Sequence, residues 1–157
     1  MTYFMLKYLH IIGAAVLLGT GAGIAFFMLL AHRTGNAATI AAVARIVVIA
    51  DFIFTATAVV AQPLTGIGLM HVAGYSFAED WIWISILLYI ATGAFWLPVV
   101  WMQWRMRDLA REAALQQSEL PALYHSFFRW WFAFGFPAFA AVAVIYWLMI
   151  TRPVTVF

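Results

Sequence analysis

The chain contains no cysteine, and only 9% of its 157 residues are charged. The first absence excludes disulfides, iron–sulfur clusters, thiolate-ligated haem, zinc–thiolate sites and CxxCH haem attachment. Any metal must be held by His, Met, Asp, Glu, Gln or backbone groups. The second absence sets the solvent. Soluble proteins are about 25% charged and about 45–50% apolar, whereas this chain is 67% hydrophobic. So much apolar surface needs a bilayer, and one membrane domain over residues 1–157 is the natural count. The net charge of +2 comes with no basic stripe beside stacking aromatics, so nucleic acid is excluded as a partner. No phosphate-binding glycine loop, zinc-protease helix or nucleophile elbow occurs. The first apolar run is too long for a cleaved signal, and no clean small-residue cleavage site follows a basic start.

What is abundant is apolar sequence in four long runs. They cover roughly 4–31, 37–71, 81–104 and 127–150, each able to cross ~30 Å of hydrocarbon as a helix of ~20 residues. The expectation is an all-α bundle of four transmembrane helices. The third helix extends beyond the membrane to about residue 117. Arg33, Arg45, Arg105, Arg107, Arg111 and Arg129 flank loops one and three, while Lys7 and Arg152 lie near the termini. The positive-inside rule then puts both termini on the periplasmic side of a bacterial inner membrane. Trp81 and Trp83 mark one interface, and Trp101, Trp104, Trp130 and Trp131 the other.

Polar residues inside these spans are expensive and mark candidate sites. His10 starts the first span and His71 ends the second, so both lie toward the outer face. His32 and His125 lie toward the cytoplasm. An outer pair of histidines on antiparallel neighbours is what bis-His ligation of haem requires. Positions 10, 14, 17 and 21 share a helix face, and Gly13 and Gly21 leave room there for a flat ring or a close backbone. The competing reading of His10 is an interfacial residue hydrogen-bonded to a neighbour. Met5 and Met70 lie at a similar level, so copper bound by Met5, His10, Met70 and His71 is the alternative metal reading.

Asp51 and Gln62 are eleven residues apart, which places them on one helix face, with Thr55 and Gly66 extending it. Asp51 wants a partner such as Arg45, and acts in a proton relay, an ion pair, or beside a haem or quinol pocket. Gln62 lines that pocket or serves as interhelical glue. Pro63, Pro98 and Pro137 each remove a helix hydrogen bond. Tyr89, Trp96 and Gln103 repeat at seven-residue spacing and form a polar stripe that lines a cavity or seams two helices. The Arg105–Glu112 stretch is a solvated helix end that sets topology or meets anionic lipid.

Leu6-Lys7-Tyr8-Leu9-His10, Ala31-His32-Arg33, Ala61-Gln62-Pro63-Leu64-Thr65-Gly66, Trp96-Leu97-Pro98-Val99-Val100-Trp101-Met102-Gln103 and Arg105-Met106-Arg107 resemble an uncharacterised bacterial family of small integral membrane proteins, a domain of unknown function. The resemblance spans almost the whole chain. More distantly, Leu9-His10 and His32-Arg33 are similar to the HemJ-type protoporphyrinogen oxidases and to CopD-like copper-resistance membrane domains. That likeness implies b-type haem with His10 as axial ligand. The HemJ pattern carries a basic residue in a later span near its active site, whereas the only lysine here is Lys7. The likeness therefore implies haem binding rather than porphyrinogen oxidation.

The combined expectation is a b-haem protein in electron transfer or redox chemistry with a quinone- or porphyrin-like partner. His10 and His71 are its ligands, Gly13, Gln62 and Trp96 line the cofactor, and Asp51, Tyr89 and Gln103 form a polar relay. A copper-handling protein and a cofactor-free accessory subunit are the rivals, and a homodimer fits any of the three. Whether the chain is an enzyme stays open.

Overall fold

The computed structural model describes residues 1–153, and among them it is entirely helical. Helix α1 runs Thr2–Arg33, α2 Ala37–Ala50, α3 Ala56–Ala73, α4 Asp80–Leu115 and α5 Ala122–Thr151. A π turn over Asp51–Thr55 joins α2 to α3, so the two form one continuous span. Four segments are thus long and apolar enough to cross a membrane, as the hydropathy runs require. All backbone polar groups within such a span must be satisfied inside the protein, by the helix itself or by a neighbouring side chain, because lipid offers no partners.

The helix ends follow local chemistry. Asn36 caps α2, its Oδ1 accepting the Thr39 N–H at 2.9 Å. Gly74 ends α3 in the left-handed region at φ 76°, and the Tyr75 N–H returns to the Met70 carbonyl at 3.0 Å. That is a Schellman closure, and a Cβ at this φ would strain it. Pro121 stands immediately before α5, where its missing N–H costs nothing.

The main core lies at the end carrying the α1–α2 and α4–α5 links. There Ile24, Met28, Ile40, Met106, Tyr124 and Phe128 interdigitate with almost no exposure. Lipid tails are as apolar as these side chains, so close packing rather than water exclusion holds the membrane part together. A smaller cluster of Met70, Trp81, Ile82 and Leu148 closes the opposite end. Trp81 is pinned there by donating to Glu79 Oε2 at 2.7 Å. The helices pack chiefly as α1 on α3, α4 on α5, and α2 on α4. Trp131 departs from its expected place in the interfacial belt. It is 4% exposed, in the main core, because its face of α5 turns toward α4.

Candidate functional site

Two polar clusters form within the apolar bundle. The first lies between α1 and α3. Gln62 is buried, and its Nε2 donates to the His10 carbonyl at 2.8 Å. Gly13 lets it do so, since a Cβ on Gly13 would overlap Gln62 Nε2. The exchange is reciprocal: Gly66 on α3 faces the His10 ring, and a Cβ there would stand 3.4 Å from Cε1. Each helix thus offers a glycine to the other's polar side chain. Gly13 has its space filled by Gln62, so the room expected there for a flat cofactor is taken.

The His10 ring is oriented by Thr65, whose Oγ1 lies 2.9 Å from His10 Nδ1. A hydroxyl has one hydrogen, and Thr65 gives it to the Ala61 carbonyl at 2.7 Å. Thr65 therefore accepts from His10, which puts the imidazole proton on Nδ1 and the lone pair on Nε2. That Nε2 has no hydrogen-bond partner among the described residues. A threonine that fixes the tautomer and leaves Nε2 free is how a ligating histidine is held from behind.

His71 does not join this cluster. Nine residues, or two and a half turns, separate it from Gln62, so it points away from the α1 interface. It is exposed and makes no hydrogen bond or ion pair among the described residues. Met70 is buried in the small end cluster, whereas Met5 is 60% exposed. No group of three or more His, Asp or Glu converges on a common point among the described residues.

The second cluster joins the π turn to α4 and α5. Asp51 is 4% exposed and receives the Trp96 Nε1–H at 3.4 Å on Oδ1. The donor-only indole of Trp131 orients the Gln103 amide. The Gln103 oxygen takes Trp131 Nε1 at 3.1 Å, and its nitrogen donates to Asp51 Oδ2 at 3.2 Å. One polarised chain therefore runs Trp131 to Gln103 to Asp51. No Lys or Arg pairs with Asp51 among the described residues, and Arg45 is exposed elsewhere. Thr55, at the far end of the same π turn, is buried with its hydroxyl beside the Asp51 carboxyl group.

Asp51 and Gln62 thus serve different neighbours, although eleven α-helical residues would align them. The cause is the π turn, in which the Ala56 N–H bonds to the Asp51 carbonyl. This wider ring absorbs an additional residue, and one residue is about 100° of α-helix. Nothing in Asp51-Phe52-Ile53-Phe54-Thr55 marks such a turn in advance.

Tyr89 plays a third role. Its hydroxyl donates to the Val59 carbonyl of α3. Val59 lies four residues before Pro63, which has no N–H to give it. Tyr89 supplies the missing donor from another helix. At the link-bearing end, His32 stacks on Phe128 with ring centroids 3.6 Å apart and an interplanar angle of 10°. Its Nδ1 lies 3.3 Å from the Tyr124 hydroxyl.

Of the residues that pattern alone singled out, His10, Gly13 and Gln62 meet in one place. Asp51, Trp96 and Gln103 meet in another. Thr65, Gly66 and Trp131 complete the clusters. Thr65 is detectable as the polar residue one turn beyond Gln62, whereas Trp131 carries no sequence signal for burial.

Such an arrangement, four apolar spanning segments with polar side chains tied across their interfaces, defines an integral membrane protein. The chain belongs to the family described as "Predicted integral membrane protein (DUF2269)", which it matches over residues 4–153. No curated protein and no solved structure matches it.

Proposed function

We propose that this protein is a b-type haem protein of a bacterial inner membrane, with His10 Nε2 as an axial ligand to the iron. The carrying observation is the hydrogen bond from His10 Nδ1 to Thr65, which leaves an unpartnered imidazole lone pair in an apolar span. Haem suits a single histidine because the porphyrin itself supplies the equatorial nitrogens, and the protein adds only axial ligands. Bound haem supplies one-electron transfer to a quinone- or porphyrin-like partner. The chain's own part is to hold His10 by Thr65, fix its backbone by Gln62, and keep the ring's seat open with Gly66. His71 stands on the far side of α3, so His10 is the residue of this chain that would hold the group, and a two-fold dimer would bring a second His10. Copper held by Met5, His10, Met70 and His71 has less support, since these four side chains do not converge. The arginines around the two links orient that end to the cytoplasm.

The test is the visible spectrum of protein purified from haem-replete cells. A Soret band is expected in the wild type and its loss in His10→Ala, with helicity by circular dichroism unchanged. A colourless wild-type protein refutes the reading.

A further inference from the structure

Asp51 does not end in solid packing. Beside it lies a small cavity of about 40 Å³, walled by Phe52, Trp96, Val100 and Trp104. It shares Val48, Phe52 and Trp104 with a larger open groove of about 410 Å³ on the outer surface of the bundle, which reaches Arg107. Trp96, Val100, Trp104 and Arg107 follow one another on a single face of α4. The eleven residues from Trp96 to Arg107 span about 16 Å. The opposite wall is the end of α2 and the π turn. A lipid-facing, aromatic-walled groove thus tapers to a buried carboxyl group.

We infer that this groove binds a membrane-soluble hydroquinone, with its ring between Phe52 and Trp104 and its leading hydroxyl on Asp51. Three observations select that chemistry. The walls are aromatic and aliphatic, which suits a flat ring rather than a charged head. The deep end presents an acceptor, the Asp51 carboxyl group, which lines the cavity and whose Oδ1 already takes the Trp96 Nε1–H at 3.4 Å. A hydroquinone hydroxyl can donate to a further lone pair of that carboxyl group, and the oxidised quinone, with no hydrogen to give, is held by the walls alone. Finally, the site sits at a π turn, and such turns collect at functional positions. A phospholipid fits less well. Its phosphate would have to settle on Arg107, whose guanidinium is already held by Asp108 Oδ1 at 2.8 and 2.9 Å.

The inference takes its partner class from the redox reading above but places it away from His10, on residues that no haem ligand touches. Full-length protein in nanodiscs is labelled with a photoreactive azidoquinone carrying a short isoprenoid tail. The expected result is about one label per chain, on peptides bearing Phe52 and Trp104, displaced by excess unlabelled hydroquinone. Val48→Trp fills the groove from its lipid side and abolishes the labelling. Asp51→Asn weakens competition by the hydroquinone roughly 10-fold, the effect of losing one hydrogen bond to a charged or ionisable partner, and leaves competition by the quinone unchanged. Label scattered over all lipid-facing helices, or unaffected by Val48→Trp, overturns the proposal. So does a phospholipid found in the groove by native mass spectrometry that hydroquinone cannot displace. The Soret band is recorded on the same samples. Its presence with failed labelling removes the groove and keeps the haem, and the converse result removes the haem alone.

Discussion

Replacing Gly13 by alanine tests how α1 and α3 are joined. The added Cβ has nowhere to go without displacing Gln62 Nε2, which donates to the His10 carbonyl at 2.8 Å. Losing a hydrogen bond between membrane helices costs about 0.6 kcal/mol. Forcing a methyl into a filled contact costs about 1–3 kcal/mol. Alanine's better helix propensity returns up to about 1 kcal/mol. The net expectation is a destabilisation of about 1–2 kcal/mol. Gln62→Ala removes the obstruction, so Gly13→Ala in that background should be neutral or stabilising. The two changes should therefore couple by about 2 kcal/mol, well above the ~0.5 kcal/mol scatter of independent sites. Gly19, with nothing within 4 Å of a built Cβ, is the control and should accept alanine without loss. The assay is equilibrium unfolding in bicelles, by denaturant titration or steric trapping. An equal cost for Gly13→Ala with and without Gln62, or no cost in the intact protein, would refute the reciprocal seating of glycine and glutamine.

Tyr89→Phe should cost about 1 kcal/mol in the same assay, since it leaves the Val59 carbonyl without the donor that Pro63 cannot provide. In a Pro63→Ala background the backbone N–H returns and the loss should fall below about 0.5 kcal/mol; an unchanged loss would show that Tyr89 acts by packing. For the haem reading, Thr65→Val should weaken haem retention about 10–100-fold by releasing the His10 ring, while Thr65→Ser keeps it. Haem transfer to apomyoglobin measures this, and equal retention by both variants would separate Thr65 from the ligand.

The spans were legible because hydropathy is a property of long segments. Each apolar run became a helix, and the continuation of the third span to about residue 117 appeared as α4 ending at Leu115. The polar anomalies His10, Asp51, Gln62 and Gln103 were equally legible, since each stands out against an apolar background. Their partners were not. His10 meets Thr65, fifty-five positions away, and sequence spacing carries no information about which helix lies opposite. His71 seemed a natural companion by depth, yet depth alone leaves the direction of the side chain around α3 undetermined. Trp131 looked like its interfacial neighbour Trp130 because adjacent residues share composition, though they point about 100° apart on a helix.

By itself, then, the sequence determines the solvent of this protein, the number and extent of its membrane crossings, the exclusion of thiolate chemistry, and the handful of side chains that need a reason to be in lipid. Those follow from composition and from runs of about 20 residues, which no tertiary contact can alter. Only the tertiary structure decides which of these side chains belong together. A single π turn between Asp51 and Thr55 rotates everything after it, and so sends Gln62 to α1 while Asp51 goes to α4 and α5. One additional residue in one hydrogen-bonded ring costs little locally, but it sets the direction of every side chain beyond it.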